Sequence, residues 1–170
     1  MAEFDTLRFG SIDVPGEEQI EFRRGLLGFE QLRRFVHVEV AEEAPFGWLQ
    51  SLDEPQTAFV VANPAVFFPG YKIEIDPREL GDIRPGPNDR LVVLGICTIP
   101  DRFTDASMNL LGPIAINAVT QKGKQLVLNR SGFTTQHRLT DGDVKIEAEP
   151  RQRSKLKPRA TRQPAQATNF

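Results

Sequence analysis

Little in this sequence is equipped to make or break bonds. It has one cysteine, Cys97, so no internal disulfide can form, which fits a reducing compartment. Cys97 sits in an apolar run, where a thiol is an inert buried hydrophobe and not a nucleophile. The two histidines, His37 and His137, each lie 40 or more positions from that cysteine, which is not a metal-ligand spacing. No G-x-S-x-G elbow, phosphate loop or dinucleotide glycine pattern occurs. Acidic residues are scattered, and Asp53-Glu54 reads as turn chemistry, not as an acid–base pair. These absences predict no catalytic residue, no metal and no cofactor. No apolar run approaches the roughly 18 residues a membrane-spanning helix needs. The start, Met1 to Arg8, has mixed charge and no apolar signal core. A cytoplasmic location is expected.

What is present is charge of uneven distribution and an excess of phenylalanine. The formal net charge of −2 conceals a split. Residues 150–170 carry six Lys or Arg and no Asp or Glu, which leaves residues 1–149 at a formal −8. Such a body repels nucleic acid and attracts a cationic protein. The basic run Arg151–Arg159 can touch phosphates non-specifically, but it interleaves no aromatic residue for stacking bases. Twelve phenylalanines stand against one tryptophan and one tyrosine.

Short alternating segments dominate the pattern. Thr6–Phe9, Ile12–Val14 and Gln19–Phe22 alternate apolar with polar, the period of half-buried strands. Gly25 and Gly28 flank Leu26-Leu27 and can supply positive dihedrals. Glu30–Arg34 suggests one helical turn. In Phe35–Val40, Phe35, His37 and Glu39 share one face and the valines the other. Trp48–Leu52 and Ala58–Ala62 make a hairpin around Asp53-Glu-Pro-Gln56. Tyr71–Ile75 alternates again. Asp76-Pro77 opens a short helix that ends at Gly81. Arg90–Ile99 is apolar enough for a strand buried on both faces, and Ser107–Asn117 holds two fragments broken at Gly112-Pro113. Gln121–Lys124 reads as a hairpin turn before a strand at Gln125–Asn129, and Thr134–Leu139 adds a last strand. About ten short antiparallel strands with at most one or two helical turns predict an all-β, barrel-like single domain over 1–143. Residues 144–170 follow as a basic, disordered tail.

Asn63-Pro64 and Pro69-Gly70 bracket Phe67 and Phe68, so the rings, with Tyr71, are candidate anchors for a protein partner. The competing reading folds them back to plug the end of the barrel. A third possibility, a small-ligand carrier, requires a hollow interior lined by Val, Leu and Phe.

Four stretches in order resemble the flagellar assembly factor FliW family: Gly25-Leu-Leu-Gly-Phe29; Trp48-Leu-Gln-Ser-Leu-Asp-Glu-Pro55 with Ala58-Phe59; Pro64 and Phe67 leading to Tyr71; and Asn109–Asn117. The resemblance covers about residues 5–140. It implies a non-enzymatic, mostly β protein that binds CsrA, a basic RNA-binding translational repressor. Relief of repression of flagellin mRNA would follow, with flagellin as a competing ligand. A flagellin chaperone without a regulatory role is the rival reading. On the motif positions, Gln50, Asp53 and Asn117 join Phe67, Phe68 and Tyr71 as expected partner-binding residues. Gly25, Gly28, Trp48, Pro55, Pro64 and Pro113 are expected to be structural. Gly70 and Lys72 stand where the family tends to carry acids, and Gly112 where alanine is common.

Overall fold

The computed structural model describes residues 1–83, 85–129 and 131–141. The basic segment 144–170 lies outside them. The described residues form eleven strands: β1 (Ala2–Thr6), β2 (Gly10–Val14), β3 (Ile20–Phe22), β4 (Arg34–Glu39), β5 (Gly47–Ser51), β6 (Ala58–Ala62), β7 (Leu91–Thr98), β8 (Ser107–Met108), β9 (Ile114–Asn117), β10 (Lys122–Gln125) and β11 (His137–Arg138). One four-residue helix, α1 (Pro64–Phe67), is capped by Asn63, whose side chain accepts from the Ala65 N–H. The expected short helix after Asp76 is a 3-10 turn over Pro77–Leu80.

Seven strands close a barrel in the order β7-β6-β5-β4-β3-β10-β9 and back to β7. All neighbours are antiparallel except β3 and β10, which pair in parallel through Glu21 with Lys122 and Phe22 with Gly123. β8 and β9 lie along one edge of β7 in succession, so the break at 109–113 interrupts what is effectively one strand.

The period of two decides what fills the barrel. Phe22, Phe35, Leu49, Val61, Leu94, Ile114 and Ile116 are fully buried inside it. Phe22 and Phe35 meet edge to face at 5.4 Å, a geometry aromatic quadrupoles favour. A packed interior is the opposite of the hollow that a small-ligand carrier needs. Val36 and Val38, on the other face of β4, pack with Trp48 under Ile12 and Val14 of the β1–β2 hairpin. Ala115, facing out from β9, packs with Ile83 and Leu126. The segment that carries Ile83 is held by Asp82, which is 2.9 Å from Arg24 and within 3.9 Å of Arg23 and Lys124.

Several local expectations shift. Only Thr6 of the expected strand Thr6–Phe9 is extended, and residues 7–9 are a turn, because the Thr6 hydroxyl accepts from the Phe9 N–H and donates to the Gly10 carbonyl. Residues 71–75 pair with no strand among the described residues, and Ile75 packs instead beside Ile83. Glu30–Arg34 forms no helix, and Arg34 already belongs to β4. β7 is buried on alternate positions rather than throughout, with Leu91, Val93 and Ile96 partly exposed. The turn placed at Gln121–Lys124 falls at Ala118–Gln121, and the strand is Lys122–Gln125. Gly123 serves packing here: a Cβ on it would stand 2.5 Å from the Phe22 ring. Gly25 and Gly28 do adopt positive φ, 63° and 85°.

Candidate functional site

The β5–β6 hairpin is built around its own polar residues. Gln50 is fully buried and donates through Nε2 to the carbonyls of Ser51, Pro55 and Thr57. The Ser51 hydroxyl accepts from the Asp53 and Glu54 N–H groups. Asp53 reaches out of this turn to the start of β4. Its Oδ2 accepts from the backbone of Arg33 and of Arg34, and its Oδ1 from the Arg34 guanidinium, all at 2.8 Å. Partial burial opposes its charge, but these bonds outweigh it and hold the carboxyl below the ordinary aspartate range.

A second buried amide shapes the turn between β9 and β10. Asn117 donates to the Ile83 carbonyl and to Asp89, and accepts from the N–H groups of Val119 and Thr120. Together with the Gly86 N–H, Asn117 keeps the Asp89 carboxyl low. The turn forces Gln121 to φ 58°, a left-handed conformation that costs a non-glycine residue about 1 kcal/mol. Gln121 carries the seam: its carbonyl accepts from the Glu21 N–H at 2.9 Å, and its Nε2 donates to Ala118. Its Oε1 is buried without a donor among the described residues.

Between these two constructions lies an open cleft of about 790 Å³. The β3 side contributes Glu17, Gln19 and Glu21, the β4 side Gln31, Arg33 and the Arg34–Asp53 pair, and the far turn Val119, Thr120 and Gln121. Asp53 and Asn117 therefore buttress opposite walls of one cleft. The sequence motifs marked both residues but gave no sign that the cleft joins them.

The aromatic candidates lie elsewhere. Phe67 is buried, with its ring stacked on Phe46 at 5.4 Å between centroids. Of the two readings of the sequence, the ring folded back describes Phe67, because α1 turns it inward. Gln50 and Asn117 are likewise internal, so none of these three side chains is presented to a partner. Phe68 is half-buried against His137 at 6.1 Å. Tyr71 meets Phe133 at 4.8 Å and donates its hydroxyl to the Leu110 carbonyl, and burial raises its pKa to about 12. These rings brace the 63–71 segment against 133–139.

Cys97 is buried, and desolvation raises its thiol to about 12, far from the thiolate that nucleophilic chemistry requires. Among the described residues, no group of three His, Cys, Asp or Glu side chains is placed to hold a metal ion. No helix among them is long and apolar enough to cross a membrane.

Comparison with known proteins accords with this architecture. A crystal structure of the flagellar assembly factor FliW superposes with a TM-score of 0.75 at 31% identity, covering 81% of this chain and 96% of that one. The flagellar assembly factor FliW of Heliobacterium modesticaldum is 38% identical over 143 residues, 84% of this chain and 94% of the relative. That of Caldanaerobacter subterraneus subsp. tengcongensis is 37% identical over 136 residues, 79% and 91% of the two chains. The family model described as FliW protein matches residues 3–139, nearly the whole folded body, and the chain belongs to the FliW family of flagellar assembly factors.

Proposed function

We propose that this protein works by non-catalytic capture of another protein: it binds a CsrA-type translational repressor and relieves repression of flagellin mRNA, with flagellin competing for it. The observation that carries the reading is the family membership joined to a body of formal charge −8. A basic repressor is drawn to such a surface, and phosphates are repelled within a screening length of about 8 Å at physiological salt. The inert Cys97 and the packed barrel fit a binding protein better than an enzyme or a small-ligand carrier. Docking would take place in the cytoplasm, where repressor and transcript meet.

A gel shift with purified CsrA and flagellin leader RNA tests this. Adding the full chain is expected to release the RNA, and flagellin is expected to restore the shift. A chain lacking residues 144–170 should act equally well if the body alone does the work. A full chain that leaves the shift intact ends the regulatory reading. Recovery of flagellin but never CsrA in pull-downs favours the chaperone.

A further inference from the structure

We infer that residues 75–83 form a strap that locks the barrel across its parallel seam. One end of the strap is fastened by an ionic clasp, so that dissolved salt sets how often the ring opens there. The seam needs such a lock. β3 meets β10 over two residue pairs, whereas β4 and β5 meet over five. β3 is as briefly paired with β4, but only residues 23–33 separate those strands in the chain, and they stay together. No short connection tethers β3 to β10, whose paired residues stand about a hundred positions apart.

The strap grips the two sides of the seam by different forces. On the β9–β10 side, Ile75, Leu80 and Ile83 pack with Ala115 and Leu126. There Lys124 donates through Nζ to the Glu79 carbonyl, and Asn117 donates to the Ile83 carbonyl at 3.0 Å. On the β3 side the strap reaches Arg23 and Arg24, which follow the strand, through Asp82. The Asp82 side chain is 11% exposed and lies 2.9 Å from Arg24 Nε and 3.9 Å from both Arg23 and Lys124. Its Oδ2 is buried and accepts no hydrogen bond among the described residues, so the clasp is closed by charge and not by directed bonds. Both arginine side chains are mostly exposed, at 70% and 73%, where salt screens a pair and weakens it. Screening therefore loosens the β3 end while apolar packing keeps the β10 end seated.

Amide exchange of the full-length protein, followed residue by residue by NMR, provides the test. The Glu21 N–H bonds across the seam to the Gln121 carbonyl at 2.9 Å, whereas the Phe22 N–H bonds to the Arg33 carbonyl on the β4 side at 2.7 Å. Asp82→Asn is expected to speed exchange at Glu21 at least fivefold, and at Phe22 and Leu49 less than twofold. Raising sodium chloride from about 0.05 M to about 1 M shortens the screening length several-fold. It should speed wild-type Glu21 at least threefold relative to Leu49 and leave the Asp82→Asn rate within twofold. Arg24→Gln, at an exposed position, should reproduce part of the effect, two- to fivefold at Glu21, and it decides the matter alone if Asp82→Asn fails to fold. Asp105→Asn breaks the Arg138 pair away from the seam and should leave Glu21 within twofold of wild type. Equal acceleration at Glu21, Phe22 and Leu49 overturns the inference, because the clasp would then support the whole fold and not the seam. So does a Glu21 rate that responds neither to these substitutions nor to salt.

Discussion

The aromatic brace and the seam cleft are both made of loops, yet they differ in how fully their groups are used. In the brace, Phe67 lies on Phe46, Tyr71 on Phe133 and Phe68 on His137, and the one phenol donates to a carbonyl. In the cleft, Glu17, Glu21 and Arg33 face solvent with no ion pair among the described residues, and Gln121 is held in a costly conformation. The contrast teaches that aromatic content is a poor guide to a binding face when rings can satisfy one another.

The sharpest way to break the comparison is Phe67→Ala. Emptying a buried site of this size should cost about 3–5 kcal/mol in denaturant unfolding. Because the ring is buried, affinity per folded molecule should stay within about twofold of wild type. Gly123→Ala strikes the seam, since its new Cβ meets the buried Phe22 ring. A loss of about 2–3 kcal/mol is expected from overpacking, with faster amide exchange at Glu21 than at Leu49. Asp53→Ala leaves the Arg33 and Arg34 N–H groups without their acceptor and should cost about 2 kcal/mol. Acid titration sharpens that result. The Asp53 pKa is depressed in the folded state, so its stabilisation is complete above its unfolded value of about 4 and disappears as pH falls through the folded value. Asp53→Asn should therefore show a smaller loss of stability between pH 6 and pH 3 than wild type. Tyr71→Phe deletes one hydrogen bond in the brace, worth about 1 kcal/mol. If that variant, or Phe68→Ala, weakened partner binding tenfold without changing stability, the brace would be a binding face after all.

How much was legible in the sequence depended on whether a residue's role was local. Asp53–Gln56 declared a turn because aspartate and proline set backbone geometry by themselves, and the hairpin lies there. Gly112-Pro113 announced the interruption between β8 and β9 for the same reason. Gly123 misled, because a glycine that admits a distant phenyl ring looks no different from one that makes a turn. Ile73 and Ile75 alternate like a strand, yet an unpaired segment needs the same alternation to pack on one side. Asn63-Pro64 suits a stiff loop and a capped first turn equally well, so the direction of the Phe67 ring is set by α1 and not by those two residues alone. The cleft was invisible, since its walls come from residues near 20, 33, 53 and 120, joined only when the barrel closes.

That closure has a consequence for the order in which the molecule is built. The parallel seam unites residues 21–22 with 122–123, whereas the β4–β5 and β5–β6 hairpins join near neighbours. A nascent chain leaving the ribosome can complete those hairpins early, but its first staves must wait for about a hundred more residues before the ring is shut. Loop-closure entropy makes so distant a pairing slow. Until β10 emerges, β3 lacks one neighbour, and a growing polypeptide stalled before that point would display an unsealed edge to the chaperones around it.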